Sequence, residues 1–261
     1  MDMEKKAGLS GLVLKIIAVL SMFTDHAAKV LFTQSFLVER FSMSYQSSYA
    51  LLRYLTDLGR LAFPIYAFLI AEGCRHTKHS RRYVLSLLIF GAVSEVPFWL
   101  AFDGHISIGV TNVFFTLALG AIACFAYKKF IEAERFGIAI AIPAVCVFMA
   151  ELLRTDYGGL GVLLIIAAFV PKKRAAQLGC MALVVTVIYM VWAAWNGTAL
   201  VWLDLRVFWT YARTWLFALS PLVLIALYSG KRGAQPAWLK WGFYAFYPLH
   251  LAVLVVLARV L

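Results

Sequence analysis

The sequence is poor in charge, and poorer still in acid. Only 14% of its 261 residues are charged, and 13 Asp+Glu stand against 24 Lys+Arg. A soluble domain carries roughly 25% charged residues. With 63% of residues hydrophobic, a water-soluble fold would lack the polar surface to cover its apolar groups. This argues against a soluble enzyme, a disordered chain and a nucleic-acid module. The net charge of +11 could suit nucleic acid, but such a binder presents its basic face on a soluble body. Cysteine is scarce too. Cys74, Cys124, Cys146 and Cys180 stand singly with no CxxC spacing, so neither a disulfide framework nor a zinc cluster is expected, and no metal. GxSxG, HExxH, Walker and GxGxxG elements are absent from their proper contexts. No 20–50-residue repeat and no long linker divides the chain, so a single domain over residues 1–261 is expected.

Long apolar runs are abundant. At ~20 residues per membrane crossing the length holds about eight to ten helices. Hydropathy places nine spans: Gly11–Phe32, Tyr49–Ala71, Tyr83–Phe102, Val113–Phe130, Phe136–Leu153, the short Gly158–Val170, Ala175–Trp195, Trp209–Tyr228 and Trp241–Leu261. The piece Asn196–Phe208, with Asp204 and Arg206, reads as a loop, a re-entrant segment or an interfacial helix. Alternate connections are rich in Lys and Arg. They hold Lys5 and Lys6; Arg75, Lys78, Arg81 and Arg82; Lys128, Lys129 and Arg135; Lys172, Lys173 and Arg174; and Lys231, Arg232 and Lys240. The others hold only Arg40, Arg154 and Arg206. The positive-inside rule then puts the N-terminus in the cytoplasm. The expected fold is an all-α, polytopic membrane bundle of about nine helices in a bacterial cytoplasmic membrane, its lipid-facing partner the bilayer. Span 1 carries Lys15, Asp25, His26 and Lys29 and is followed by no small-residue cleavage site, so it reads as a retained helix.

Ionisable groups inside spans cost ~2.5–3.5 kcal/mol or more each at mid-bilayer, so each needs a partner or a polar cavity. Lys15, Met22, Asp25, His26 and Lys29 fall on one stripe of span 1, and Asp25 and Lys29 are spaced to pair. Adjacent Asp25 and His26 cannot face each other on a regular helix. Arg53, Asp57, Arg60 and Pro64 share a face of span 2, with Arg53–Asp57 and Asp57–Arg60 at pairing distances. With the expected orientation, Asp25, His26, Asp57, Arg60, Glu95, Asn112, Asp156, Tyr157 and Arg213 converge on the outer half, and His250, beside Tyr247, on the middle. A polar cavity open toward the outer face or the middle is expected. Histidine suits general-base work near neutral pH, and arginines suit phosphates or an oxyanion. A proton-coupled transporter or flippase would use the same residue types, and a non-catalytic scaffold is the third reading.

Several stretches together resemble the TraX family, named for the F-pilin acetylase of conjugative plasmids. They are Leu14–Ala18 with Thr24–Asp25–His26, RLAFPIYAFLIAEGCRHT from Arg60, SEVPF from Ser94, NVFFTLALG from Asn112, DYGGLGVLL from Asp156, YSGKRG from Tyr228 and FYAFYPLHL from Phe243. The family pattern prefers Asn at the position of Ser229, and Gly where Ala27 and Ala28 stand. TraX proteins look like members of a wider group of transmembrane acyltransferases, with the acyltransferase type 3 proteins and the lysosomal heparan glucosaminide acetyltransferase. The resemblance implies acetyl-CoA from the cytoplasm as donor, a peptide N-terminus or glycan as acceptor, and the span-1 histidine, His26, as base or acyl carrier. On this reading Asp25 or Asp57 stabilises the imidazolium, and Arg60 or Arg53 supports the oxyanion. Arg75, Lys78, Arg81 and Arg82 hold the coenzyme's phosphates. Arg53, Glu95, Asn112, Asp156, Tyr247 and His250 line the acceptor side.

Overall fold

A computed structural model describes residues 8–107, 109–195, 205–234 and 236–261. Asp204, Lys5 and Lys6 lie outside the described residues, and so does the orientation signal of the N-terminal tail. The described chain is all-helical: α1 Gly11–Val30, α2 Gln34–Phe41, α3 Tyr45–Gly59, α4 Ala62–His76, α5 Ser80–Phe102, α6 Val113–Glu132, α7 Phe136–Leu152, α8 Gly158–Phe169, α9 Arg174–Trp195, α10 Leu205–Leu219, α11 Pro221–Ala226 and α12 Ala237–Val260. Among the described residues, six stretches are long and apolar enough to cross a membrane: α1, α3 with α4, α5, α6, most of α9, and α12. Three shorter apolar helices, Phe136–Leu152, Gly158–Phe169 and Tyr211–Ala226, accompany them. Leu20, Leu85, Ile140, Phe148, Leu183 and Val256 are exposed, whereas Ser48, Asp57, Ser94, Asn112, Thr116 and His250 are buried. Apolar groups outside and polar groups inside is the polarity of a bundle solvated by lipid.

Local sequence explains the breaks. Pro64 has no N–H to donate, and it sits in the first turn of α4, where that donor is not needed. The span it interrupts therefore splits into α3 and α4, joined by tight turns in which Arg60 N donates to the Asp57 carbonyl at 3.0 Å and Leu61 N to Leu58 at 3.2 Å. Helix α1 packs on α3, α4 and α12, and α12 packs on α5. Helix α8 lies among α4, α6, α7 and α9.

Two clamps position the site. On one end of the bundle the segment after α11 pairs with the chain before α1. Leu9 N donates to Leu227 at 2.9 Å, Ser229 N to Leu9 at 2.9 Å, and Gly11 N to Lys231 at 2.9 Å. Gly230 and Gly233 both take φ +78°, a left-handed conformation that glycine adopts at no steric cost, and Gly233 folds against Ser10. The YSGKRG stretch is thus the strap that brings Arg232 beside the first helix. On the opposite end Thr111 bridges Thr155, with Asp156 N donating to the Thr111 carbonyl at 2.9 Å.

Candidate functional site

Helices α1 and α12 bring two histidines into contact. His26 Nδ1 lies 2.7 Å from His250 Nε2, with the ring planes 10° apart. The tautomers follow from the next bond in the chain. His250 Nδ1 is 2.8 Å from the Phe246 carbonyl, which can only accept, so that nitrogen carries a proton. In neutral His250 the Nε2 is then an acceptor, and His26 Nδ1 must donate to it. The proton-free nitrogen of the pair is His26 Nε2, a lone pair available to take a proton from a substrate. His250 is buried and His26 half-buried, in a box of Phe102, Tyr247, Phe246 and Phe23 rings.

Below this pair runs a cavity of about 460 Å³ between α1, α4, α5, α6 and α12. Lys15, Glu72, His76, Thr77, Arg232 and Lys240 line one end, and Met22, Val113, Phe114 and Tyr247 the end toward the histidines. Lys15 and His26 are eleven positions apart on α1, and Lys240 and His250 ten apart on α12. At ~1.5 Å per residue both helices carry a cation about 15 Å from the histidine pair. Met22 stands one turn before His26, and the Tyr247 ring centre is 5.9 Å from that of His26. The cavity therefore ends against the aromatic box that holds the pair.

Among the described residues neither Asp25 nor Asp57 hydrogen-bonds to His26 or His250. Asp25 pairs with Lys29 at 2.6 Å, as their spacing predicts. It packs so closely on α3 that a Cβ at Gly59 would sit 2.3 Å from its own Cβ. Asp57 is buried and ion-pairs with Arg213 at 2.7 Å, while Thr214 Oγ1 donates to it at 2.9 Å. Asp57 forms no ion pair with Arg53 or Arg60 among the described residues; Arg53 Nη1 instead reaches the Tyr49 hydroxyl at 3.5 Å. Helix α10, entering from far along the chain, supplies a better-placed cation than the local i,i+4 neighbour. Arg60 lies in electrostatic reach of Tyr189, Tyr157, Asp25 and Asp57 without a direct ion pair among the described residues, and its buried Nε has no hydrogen-bond partner there. Asp156, in the α7–α8 turn, is exposed at its surface but has protein packed around its carboxyl. That surrounding pushes its carboxyl pKa up to about 6, opposed by Lys29 and Arg60 and reinforced by Asp25. Asp25, Arg60, Asp156 and Tyr157 thus gather on one side of His26, and Asp57 with Arg213 beside them.

Other expected site residues have structural duties. Glu95 Oε1 accepts from Asn112 N at 2.9 Å and from its side-chain amide. Asn112 caps α6 through Phe114 N and donates to the Gly91 carbonyl at 2.8 Å, so the two residues tie α5 to α6. Arg75 pairs with Glu72 and donates to the carbonyls of Ala168, Phe169 and Pro171 at 2.9, 2.6 and 3.2 Å, closing the end of α8. None of Arg75, Lys78, Arg81 and Arg82 lines the 460 Å³ cavity; Lys78 and Arg82 are exposed, and Arg81 faces a separate groove. The cations at the cavity mouth, Lys15, Arg232 and Lys240, had been visible in sequence only as an intramembrane lysine and as orientation charges. The direct meeting of His26 and His250 had no local signal, being 224 positions apart.

A histidine pair, ion pairs between and along helices, and a cavity lined by cations at one end, inside a lipid-facing helical bundle, define a multi-pass integral membrane protein with an internal polar site. The model of the family described as TraX protein matches residues 10–258, and the chain belongs to that family. It is 28% identical over 267 residues, covering 97% of each chain, to a protein of Dichelobacter nodosus described as "Probable fimbrial assembly protein FimC, serogroup H1". No solved structure matches the chain. The helices and these relatives place it in a bacterial membrane.

Proposed function

We propose that the protein is an acetyl-CoA-dependent transmembrane acetyltransferase working at the His26–His250 pair. The observation that carries this reading is the continuity of three features: a basic mouth, a cavity, and a histidine whose free nitrogen is set by a partner. The chain crosses the bacterial cytoplasmic membrane nine times, with the basic end and the N-terminus in the cytoplasm. The donor's phosphates sit at Lys15, Arg232 and Lys240, in place of the Arg75, Lys78, Arg81 and Arg82 set, and its thin thioester arm runs up the cavity. The acceptor arrives from the side of Asp25, Arg60 and Asp156. It is the amine of a peptide N-terminus or a glycan hydroxyl; the fimbrial relative's name favours the peptide.

For an amine, His26 Nε2 takes the proton as the nitrogen attacks the thioester carbonyl. The new C–N bond forms, the C–S bond breaks, and His26 returns the proton to the departing sulfur. His250 Nε2 holds the imidazolium through the Nδ1 proton, the task that sequence reasoning gave to Asp25 or Asp57. Arg60, whose buried Nε has no hydrogen-bond partner among the described residues, supports the developing oxyanion.

Purified protein incubated with labelled acetyl-CoA tests the reading. Label transfer to an amine-bearing peptide or a glycan, or hydrolysis of the thioester, supports it. A protein that leaves the thioester intact but drives pH-gradient-dependent uptake into liposomes is a transporter, and the proposal fails.

A further inference from the structure

Not all of the basic side chains are absorbed by the cavity. On the outer flank of the bundle a second, shallow groove of about 750 Å³ runs between α5, α6 and α7. Its upper walls are apolar: Val84, Leu85 and Leu88 from α5, Ile122 and Phe125 from α6, and Ile142 from α7. Its lower rim holds Arg81, Lys128 and Lys129 against the single acid Glu132. Arg81 and both lysines are exposed, and Lys129 Nζ lies 5.4 Å from the centre of the Phe130 ring.

Register makes this an ordered arrangement. Arg81 stands at the start of α5 and Leu88 seven positions on, while Lys129 stands near the end of α6 and Ile122 seven positions back. Each helix therefore places a cation about 10 Å from the far end of its apolar wall. That lies within the ~15 Å depth of one bilayer leaflet. The groove is separate from the 460 Å³ cavity. Tyr83 and Leu87 of α5 line the cavity, whereas Val84, Leu85 and Leu88, on the other face, line the groove. It opens sideways, where lipid is the neighbour.

We propose that this groove is a binding site for an anionic phospholipid, its headgroup phosphate held by Arg81, Lys128 and Lys129 and one acyl chain laid along Leu85, Leu88, Ile122 and Ile142. Charge decides the occupant: three cations against one carboxylate, at one end of an apolar trough, match an anionic lipid better than a zwitterionic one, whose ammonium would meet a net positive rim.

Native mass spectrometry of the full chain, released from an equal mixture of phosphatidylglycerol and phosphatidylcholine, tests this. The wild-type chain is expected to retain phosphatidylglycerol preferentially. Combined Arg81→Gln, Lys128→Gln and Lys129→Gln should cut that retention about tenfold or more, with phosphatidylcholine adducts unchanged. A control carrying Lys172→Gln and Lys173→Gln, cations of another connection, should retain the lipid like the wild type. Equal loss in the control would reduce the effect to general surface charge and overturn the site. So would unchanged retention in the triple variant, or displacement of the bound lipid by free coenzyme A, which would give the groove to the donor's phosphates.

Discussion

The two ends of the intramembrane polar system are built on opposite principles. At the basic end Lys15, Arg232 and Lys240 surround open volume, with Glu72 the one carboxylate on the same wall. At the other end charges outnumber space: Asp25 is matched by Lys29, Asp57 by Arg213, and Arg60 lies among several acids and tyrosines. A charge is costly in lipid, so matched pairs of opposite sign hold helices together, whereas cations that line a cavity attract an anion into it. The histidine pair lies where the two regimes meet. The proposed donor site lies at the basic end and the proposed acceptor side at the paired end.

Substitutions can break this contrast in graded ways. The largest effect is expected at His26: His26→Ala should lower acetyl transfer by about 10²–10⁴-fold, the range of a lost general base, while the protein remains folded in the membrane. Rate assays beside thermal unfolding check this. His250→Ala should cost less, about 10–100-fold, because His26 keeps its nitrogen but loses the acceptor that fixes its tautomer. His250→Gln, whose side-chain oxygen can accept the same proton, should recover part of the loss, which a merely packing role would not give. At the mouth, Lys15→Gln with Arg232→Gln should raise KM for acetyl-CoA about tenfold and leave kcat nearly unchanged. Arg75→Gln should instead lower thermal stability, through the carbonyls at the end of α8, with KM unaltered. At the paired end, Asp57→Asn should destabilise the fold by about 1–3 kcal/mol, since Arg213 loses its counter-ion, readable as a lower melting temperature.

The smallest effect concerns pH. Asp156 has a folded pKa near 6, above the unfolded value of about 3.9. Between these values the folded protein binds more protons, so this group's contribution to stability is full at low pH and is lost as pH rises through about 6. The wild-type chain should therefore melt at a slightly higher temperature at pH 5 than at pH 7. Asp156→Asn should flatten that dependence, as melting curves across this interval would show.

Much of the fold was legible because membrane burial writes itself into long apolar runs. Each of the nine hydropathy segments overlaps a helix, six of them in stretches long and apolar enough to cross a membrane among the described residues, and the chain breaks just before Pro64. The Asp25–Lys29 pair was legible for the same reason that Arg53–Asp57 misled: helical spacing reports neighbours on one helix and says nothing of competitors from another. Arg213 comes from a different helix and pairs with Asp57. Glu95 and Asn112 look like site residues in sequence because polar groups in a span are rare, yet their hydrogen bonds join α5 to α6 and the cap of α6. Lys15 and Lys240 read as anomalies of a span or of a loop until α1 and α12 are seen to run side by side from the same end.

The most direct measurement is a structure determined with a non-hydrolysable thioether analogue of acetyl-CoA. Phosphate density among Lys15, Arg232 and Lys240, with the acyl end beyond Met22 and Tyr247 within contact of His26 Nε2, is the predicted result. An analogue bound instead at Arg75, Lys78 and Arg82, or with its acyl end remote from both histidines, would contradict the account.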